Sequence, residues 1–153
     1  MIRINKTPNA DSRTAKEITL EDLDAGTRDH INHVKQGLNF FANKLENAGH
    51  THDYTKLLSM EDFYDALINN KPGEDVKNSR WYNMHIHKER HHLLSRVPDD
   101  VNLIDVFEYL TDCIMAGMSR AGEVYDLKVP DELLQKAYKN TCDMLQKQIK
   151  IAE

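Results

Sequence analysis

At 153 residues the chain is long enough for one well-buried domain and short for two of ordinary size. With 40% apolar and 29% charged residues, it has the balance of a globular protein with a polar surface over a modest core. The net charge of -5, with Lys and Arg scattered, argues against a broad nucleic-acid footprint, although a small phosphorylated ligand needs only two or three well-placed cations.

No apolar run approaches the ~20 residues of a membrane span. The opening Met1-Ile2-Arg3-Ile4-Asn5-Lys6 lacks the apolar core of a secretory signal, so a soluble cytoplasmic protein is expected. Residues 1–17 are polar and read as a loose N-terminal arm, with a single helical domain over 18–153. Thr19 followed by Asp22 is a capping-box start. From Thr27, the residues Ile31, Val34, Leu38, Phe41, Leu45 and Ala48 recur in steps of three and four, predicting an amphipathic helix stopped by Gly49. Ser59 with Asp62 opens another helix through Phe63, Ala66 and Leu67, and Asn69-Asn70-Lys71-Pro72-Gly73 breaks it.

A further helix is predicted from Ser79 through Trp81, His85, Lys88 and His92. Asn102 with Asp105 caps a core helix carrying Leu103, Phe107, Leu110, Ile114, Met118 and Ala121, with Gly122 as its stop. After Pro130, a last helix carries Leu134, Tyr138, Leu145 and Ile149. Strand-type alternation is absent, so the expected fold class is all-α, one helical bundle. Cys113 and Cys142 lie in apolar helical patterns and read as buried reduced thiols.

Histidine stands out. All eight lie between positions 30 and 92, and that clustering asks for chemistry. The adjacent pair His52-Asp53 cannot share a helix face, but at a helix end both can bend to one point and offer a nitrogen and an oxygen. His30 lies beside the apolar stripe of the first long helix; His33 reads as an ordinary half-buried residue. Glu108 and Asp112, with Asp105 one turn earlier, put carboxylates on one helical flank, where a nearby cation would offset their repulsion. In Trp81 through His92, His85 and His92 are seven apart and would share a helical face with Lys88, an arrangement suited to metal or phosphate.

In this order the motifs resemble the HD superfamily of metal-dependent phosphohydrolases, helical bundles with an H…HD…(H…H…)D pattern. They are closer still to a branch from phages and bacteria that reads T-x-x-H-I, H-D-x-S/T-K, H-x-x-x-N-R-H-H and N-L-I-D-x-x-E-x-x-x-D. The matching stretches are Thr27 through Ile31, His52-Asp53-Tyr54-Thr55-Lys56, His85 through His92, and Asn102 through Asp112, with Glu89 standing where that branch has Asn. The resemblance spans roughly residues 27 to 122 and implies an HD-like bundle.

It further implies a metal site of His30, His52, Asp53 and Asp112, holding one divalent Mn, Fe, Co, Ni or Zn ion, with a second ion left open. Lys56, His85, His92 and Glu108 would serve catalysis, Glu108 by orienting a histidine ligand. Lys56, Arg90 and His91 would meet the substrate's phosphate. The expected activity is hydrolysis of a nucleotide or small phosphorylated metabolite, in the host cytoplasm if the chain is phage-encoded, and self-association stays open. The alternative is a non-catalytic helical protein binding a metal or phosphate, such as a phage factor acting on a host protein.

Overall fold

The computed structural model describes residues 1–6, 17–69, 75–124 and 126–152. The fold is all-α, as the sequence predicts, apart from one short two-stranded ribbon. It divides into two compact units, residues 1–44 with 141–153, and residues 45–140. Among the described residues no helix is long and apolar enough to cross a membrane.

In the first unit, strand β1 (Ile2–Ile4) pairs in parallel with β2 (Ile149–Ile151), Ile2 opposite Ile149 and Ile4 opposite Ile151. Ile2 is buried, so the first residues of the expected loose arm are tied down; residues 7–16 of that arm lie outside the described residues. Each strand is only an Ile-x-Ile triplet, too short for an alternating pattern to register, yet the β-branched residues suit a pleated pair. Helix α1 (Leu20–Thr51) starts at the predicted box: Thr19 Oγ1 accepts from the Asp22 amide at 3.1 Å, and Asp22 Oδ2 accepts from the Thr19 amide at 3.3 Å. His33 Nε2 accepts from the Asn5 amide. Ile31, Val34 and Leu38 of the predicted stripe are exposed, and so is Cys142, which the sequence had placed inside.

In the second unit, α1 runs past Gly49, the expected stop, to Thr51. What ends it is Asp53, whose backbone is left-handed at φ 55°. Three short helices pack together next: α2 (Tyr54–Leu58), α3 (Met60–Ile68) and α4 (Arg80–Lys88). Helix α3 begins at Ser59 as predicted, but the hydroxyl does not cap it. It bonds the Thr55 carbonyl and accepts from Trp81 Nε1, tying α2 to α4. The predicted break after α3 starts at Asn69; residues 70–73 lie outside the described residues. Ser79 caps α4 through the Tyr82 amide.

Helix α4 stops at Lys88 rather than reaching His92. Helix α5 (Leu103–Ala121) has the full capping box from Asn102 and Asp105 and ends on left-handed Gly122. Its buried face differs from the predicted one. Tyr109, with Val106 and Cys113, packs into a core of Leu93, Val101, Leu133 and Ala137, whereas Phe107, Leu110 and Met118 are exposed. Leu133 and Ala137 come from α6 (Asp131–Gln146), whose expected stripe residue Tyr138 is also exposed. The apolar residues of α5 and α6 lie on more than one face, so spacing alone could not choose the buried one.

Asp105 does two jobs. It closes the cap on the Asn102 amide, and it takes Arg90 in a bidentate grip, Nε to Oδ1 at 2.7 Å and Nη2 to Oδ2 at 2.9 Å. Arg90 also reaches Asp100 Oδ1 at 3.1 Å. Losing both the cap and the charge-assisted pair in Asp105→Ala should cost about 2–4 kcal/mol. The check is a lower urea midpoint at unchanged slope, with Asp105→Asn falling between the two; a midpoint like wild type would show the grip to be idle.

Candidate metal centre

The left-handed turn at Asp53 throws two adjacent side chains inward at the end of α1. His52 Nε2 lies 3.6 Å from Asp53 Oδ2 and 3.6 Å from Asp112 Oδ1. The other ring nitrogen, Nδ1, faces Glu108 Oε1 at 3.0 Å. Glu108 and Asp112 come from successive turns of α5, so that helix supplies one carboxylate to each side of the ring. In the tautomer that donates Nδ1–H to Glu108, Nε2 would be bare toward Asp53 and Asp112, the arrangement in which carboxylates orient metal-binding imidazoles.

Three more histidines converge from the far side. The rings of His52, His91, His92 and His85 follow one another with centroids 4.4, 4.3 and 4.6 Å apart. Trp81 stacks on His85 at 4.8 Å, and Phe63 stacks on Trp81, closing the row with apolar rings. His85 Nε2 stands 2.7 Å from His92 Nε2 and 3.4 Å from Asp53 Oδ1. His91 Nε2 is 3.6 Å from that same oxygen. Two groups could therefore hold a metal ion: His52 with His91 and Glu108, and Asp53 with His85 and His92. Ligands ~2.1 Å from a tetrahedral zinc are ~3.4 Å apart, the separation of Asp53 Oδ1 from His85 Nε2, whereas the His85 and His92 nitrogens, at 2.7 Å, would move apart to share an ion.

Hydrogen-bond accounting points the same way. Asp53 Oδ1 and both nitrogens of His91 are buried without a hydrogen-bond partner; His91 Nδ1 approaches Glu108 Oε1 to 3.0 Å but is not aligned to donate. Buried polar atoms are normally satisfied, so an oxygen and a nitrogen both left open at one point mark a place for a cation. The residues present fit such an ion.

Charge is arranged to match. Burial opposes ionisation of Asp53 and Glu108, but Lys56 and the histidines outweigh it at Asp53, and His91 and His52 outweigh it at Glu108, so both carboxyls are held below their ordinary range. Burial works against a positive His91, yet Glu108, Asp53 and Asp112 raise its affinity for a proton. Burial lowers His85 and, with His91 and His85 beside it, pushes His92 down to about 3. His85 and His92 are thus neutral at pH 7, and their Nε2 atoms share one proton in the 2.7 Å hydrogen bond between them.

The expected site residues divide accordingly. His52, Asp53, His85, His91, His92, Glu108 and Asp112 come together. Lys56 joins them through an ion pair with Asp53 Oδ2. His30, an expected metal ligand, is exposed and belongs to the other compact unit. Arg90, expected at a phosphate, is held by Asp105 and Asp100. His87 bonds the Asn83 carbonyl in an exposed position.

Two buried residues received no role from the sequence: Thr55, between Asp53 and Lys56, and Glu89, flagged only as a departure from the motif. Their shared signal was polarity at positions the helical pattern left unexplained. Beside His52, Glu108 and Asp112 opens a cavity of about 370 Å³ walled by Leu45, Phe107 and Met115. No protein-family model matches this chain, and no curated protein or solved structure matches it.

The depressed His92 makes a pH prediction for the metal-free protein. Unfolded, His92 takes its proton near 6.5; folded, it resists down to about 3. Between those values the unfolded state binds the extra proton, so this contribution to stability is lost as pH falls from about 6.5 toward 3. His91 acts with the opposite sign, which makes the comparison with His92→Gln the informative one. The urea midpoint of wild type should drop more steeply from pH 7 to 4 than that of His92→Gln; equal slopes would show that His92 is not held neutral.

Proposed function

We propose that this chain is a metal-dependent phosphohydrolase of the HD type acting on a nucleotide or small phosphorylated metabolite. The observation that carries the reading is the Asp53 carboxylate, with one oxygen facing His52 and Lys56 and the other, unpartnered, facing His85 and His91. Imidazole nitrogens with carboxylate oxygens suit Mn²⁺, Fe²⁺, Co²⁺, Ni²⁺ or Zn²⁺. The motif order described above, H-D-x-T-K followed by H-x-x-x-x-R-H-H and a carboxylate-bearing helix, supplies the phosphohydrolase half of the proposal.

On this reading Asp53, His85 and His92 would hold one ion. His52, whose Nε2 lies 3.6 Å from both Asp53 Oδ2 and Asp112 Oδ1, would offer that nitrogen to a neighbouring one. Such an ion lowers the pKa of a bound water toward neutrality and polarises a phosphoryl oxygen. Glu108 keeps the His52 ring in register. Lys56, on the motif's second turn, offers its ammonium to a phosphate oxygen and exchanges its Asp53 partner for it. The cavity beside His52 and Asp112 gives the rest of the substrate an apolar wall.

One observation favours a second reading, a non-catalytic metal- or phosphate-binding protein: both cations expected at a phosphate already have partners within the chain, Lys56 on Asp53 and Arg90 on Asp105 and Asp100. Kinetics separate the two. Protein purified without a histidine tag, assayed with each of the five metals on nucleoside phosphates and an aryl phosphate, should turn over at least one of them. Lys56→Ala should keep its metal and lose roughly 1.5–3 kcal/mol of transition-state stabilisation, about one to two decades in kcat/KM. His52→Ala and Asp53→Ala should lose metal and fall to background while far-ultraviolet circular dichroism stays helical. Turnover that survives both His52→Ala and chelation would overturn the mechanism.

A further inference from the structure

Behind His85 lies a buried polar chain. Thr55, His85 and Glu89 are 2%, 1% and 5% exposed, so their polar atoms must satisfy one another. Glu89 Oε1 takes two donors, the Thr55 amide at 3.0 Å and the Thr55 hydroxyl at 2.5 Å. That same hydroxyl oxygen stands 2.7 Å from His85 Nδ1. A hydroxyl has one proton. Here it is committed to the carboxylate, so toward His85 the oxygen can only accept, and the proton on that line belongs to Nδ1.

The consequence falls on the other side of the ring. A neutral His85 protonated at Nδ1 has a bare Nε2, and that nitrogen is 3.4 Å from Asp53 Oδ1 and 2.7 Å from His92 Nε2. Asp53 Oδ1 has no hydrogen-bond partner of its own. Without a metal, the hydrogen bond between the two Nε2 atoms then carries its proton on His92, and Asp53 Oδ1 receives none from His85; a cation that displaces the His92 proton would meet all three atoms.

We propose that Thr55 and Glu89 are positioning residues that lock His85 as the Nδ1–H tautomer and so present Nε2 to a cation shared with Asp53 and His92. This rests on the metal-site reading above and adds to it the two residues that aim one ligand. Carboxylates or carbonyls behind a ligating histidine commonly do this directly; here a threonine hydroxyl carries the constraint from a carboxylate two bonds removed. Glu89 is the last link because its backbone also ends α4, with the Glu89 amide donating to the His85 carbonyl at 2.9 Å. One residue therefore fixes both the end of the helix and the tautomer of a side chain on it.

The test reads the tautomer itself. In uniformly ¹⁵N-labelled, metal-free full-length protein at neutral pH, long-range proton–nitrogen correlation should show His85 protonated at Nδ1 with Nε2 bare. Thr55→Val removes the acceptor while keeping the shape and should shift His85 to the Nε2–H form. Thr55→Ser should retain the wild-type pattern. Titration with Co²⁺ or Zn²⁺ alone should show affinity ~10–100-fold weaker in Thr55→Val and near wild type in Thr55→Ser.

An Nε2–H His85 in wild type would overturn the proposal without any variant, which covers the case of a valine variant that fails to fold. An Nδ1–H tautomer unchanged in Thr55→Val would overturn it too. An Nδ1–H tautomer that is lost in Thr55→Val, in a protein that binds neither ion, would uphold the lock and sink the metal reading instead.

Discussion

The site hangs on the backbone of one residue. Asp53 is the one non-glycine residue with positive φ among those described, at 55°. That conformation costs an L-residue about 1–2 kcal/mol, least for Asp and Asn. Without it α1 would carry His52 and Asp53 round its own axis, ~100° apart, and they could not face a common point. With it, the chain turns at once into α2, the Asp53 carbonyl accepts the Lys56 amide at 2.9 Å, and the carboxylate stands between two sets of ring nitrogens. A residue held in such a conformation where several ionisable groups meet is strain kept where it serves a site.

The second constraint is the segment after α4. From Glu89 to Leu93 burial alternates: Glu89, His91 and Leu93 are buried, Arg90 and His92 less so. Each buried residue has a different task, Glu89 on Thr55, His91 between Asp53 and Glu108, Leu93 in the apolar core. Arg90, pointing the other way, is clamped to Asp105 at the start of α5. Five consecutive residues thus join a helix terminus, the histidine–carboxylate cluster, an ion pair and the core.

That stretch also explains what could and could not be read from the sequence. Capping at Thr19 and Asn102, the helix start near Ser79, the stop at Gly122 and the all-α class were legible because each depends on contacts within a few residues. The grouping of His52 and Asp53 with Asp112, and of Glu108 with a histidine, came from the resemblance in motif order; the structure brings these side chains within 3.0 to 3.6 Å of His52. The pairing of His85 with His92 was anticipated for the wrong reason. Spacing suggested two residues stacked on a helix, whereas the helix ends at Lys88 and the chain folds back to bring His92 to His85. The buried side of α5 was illegible for a similar reason, since its apolar residues line more than one face and only tertiary packing decides between them. Arg90 could not be assigned because a free cation and one clamped by a helix-capping carboxylate look alike in a sequence.

Lys56 links the empty-handed and the occupied forms of the site that the proposal requires. The cluster gathers the carboxylates of Asp53, Glu108 and Asp112 but one ammonium, that of Lys56 on Asp53, so a divalent ion would meet negative charge there. Lys56 and such an ion compete for Asp53 Oδ2, so the ammonium is displaced most cheaply when another anion receives it. A phosphate oxygen is that anion on the proposed reading. On that reading Lys56 would make the two binding events mutually favourable, each lowering the cost of the other, and linkage would make the gain the same in both directions. The ion pair that argues for a self-contained, non-catalytic cluster is therefore also the device by which a catalytic one would couple its metal to its substrate, and the distinction between them lies in whether Lys56 changes partners.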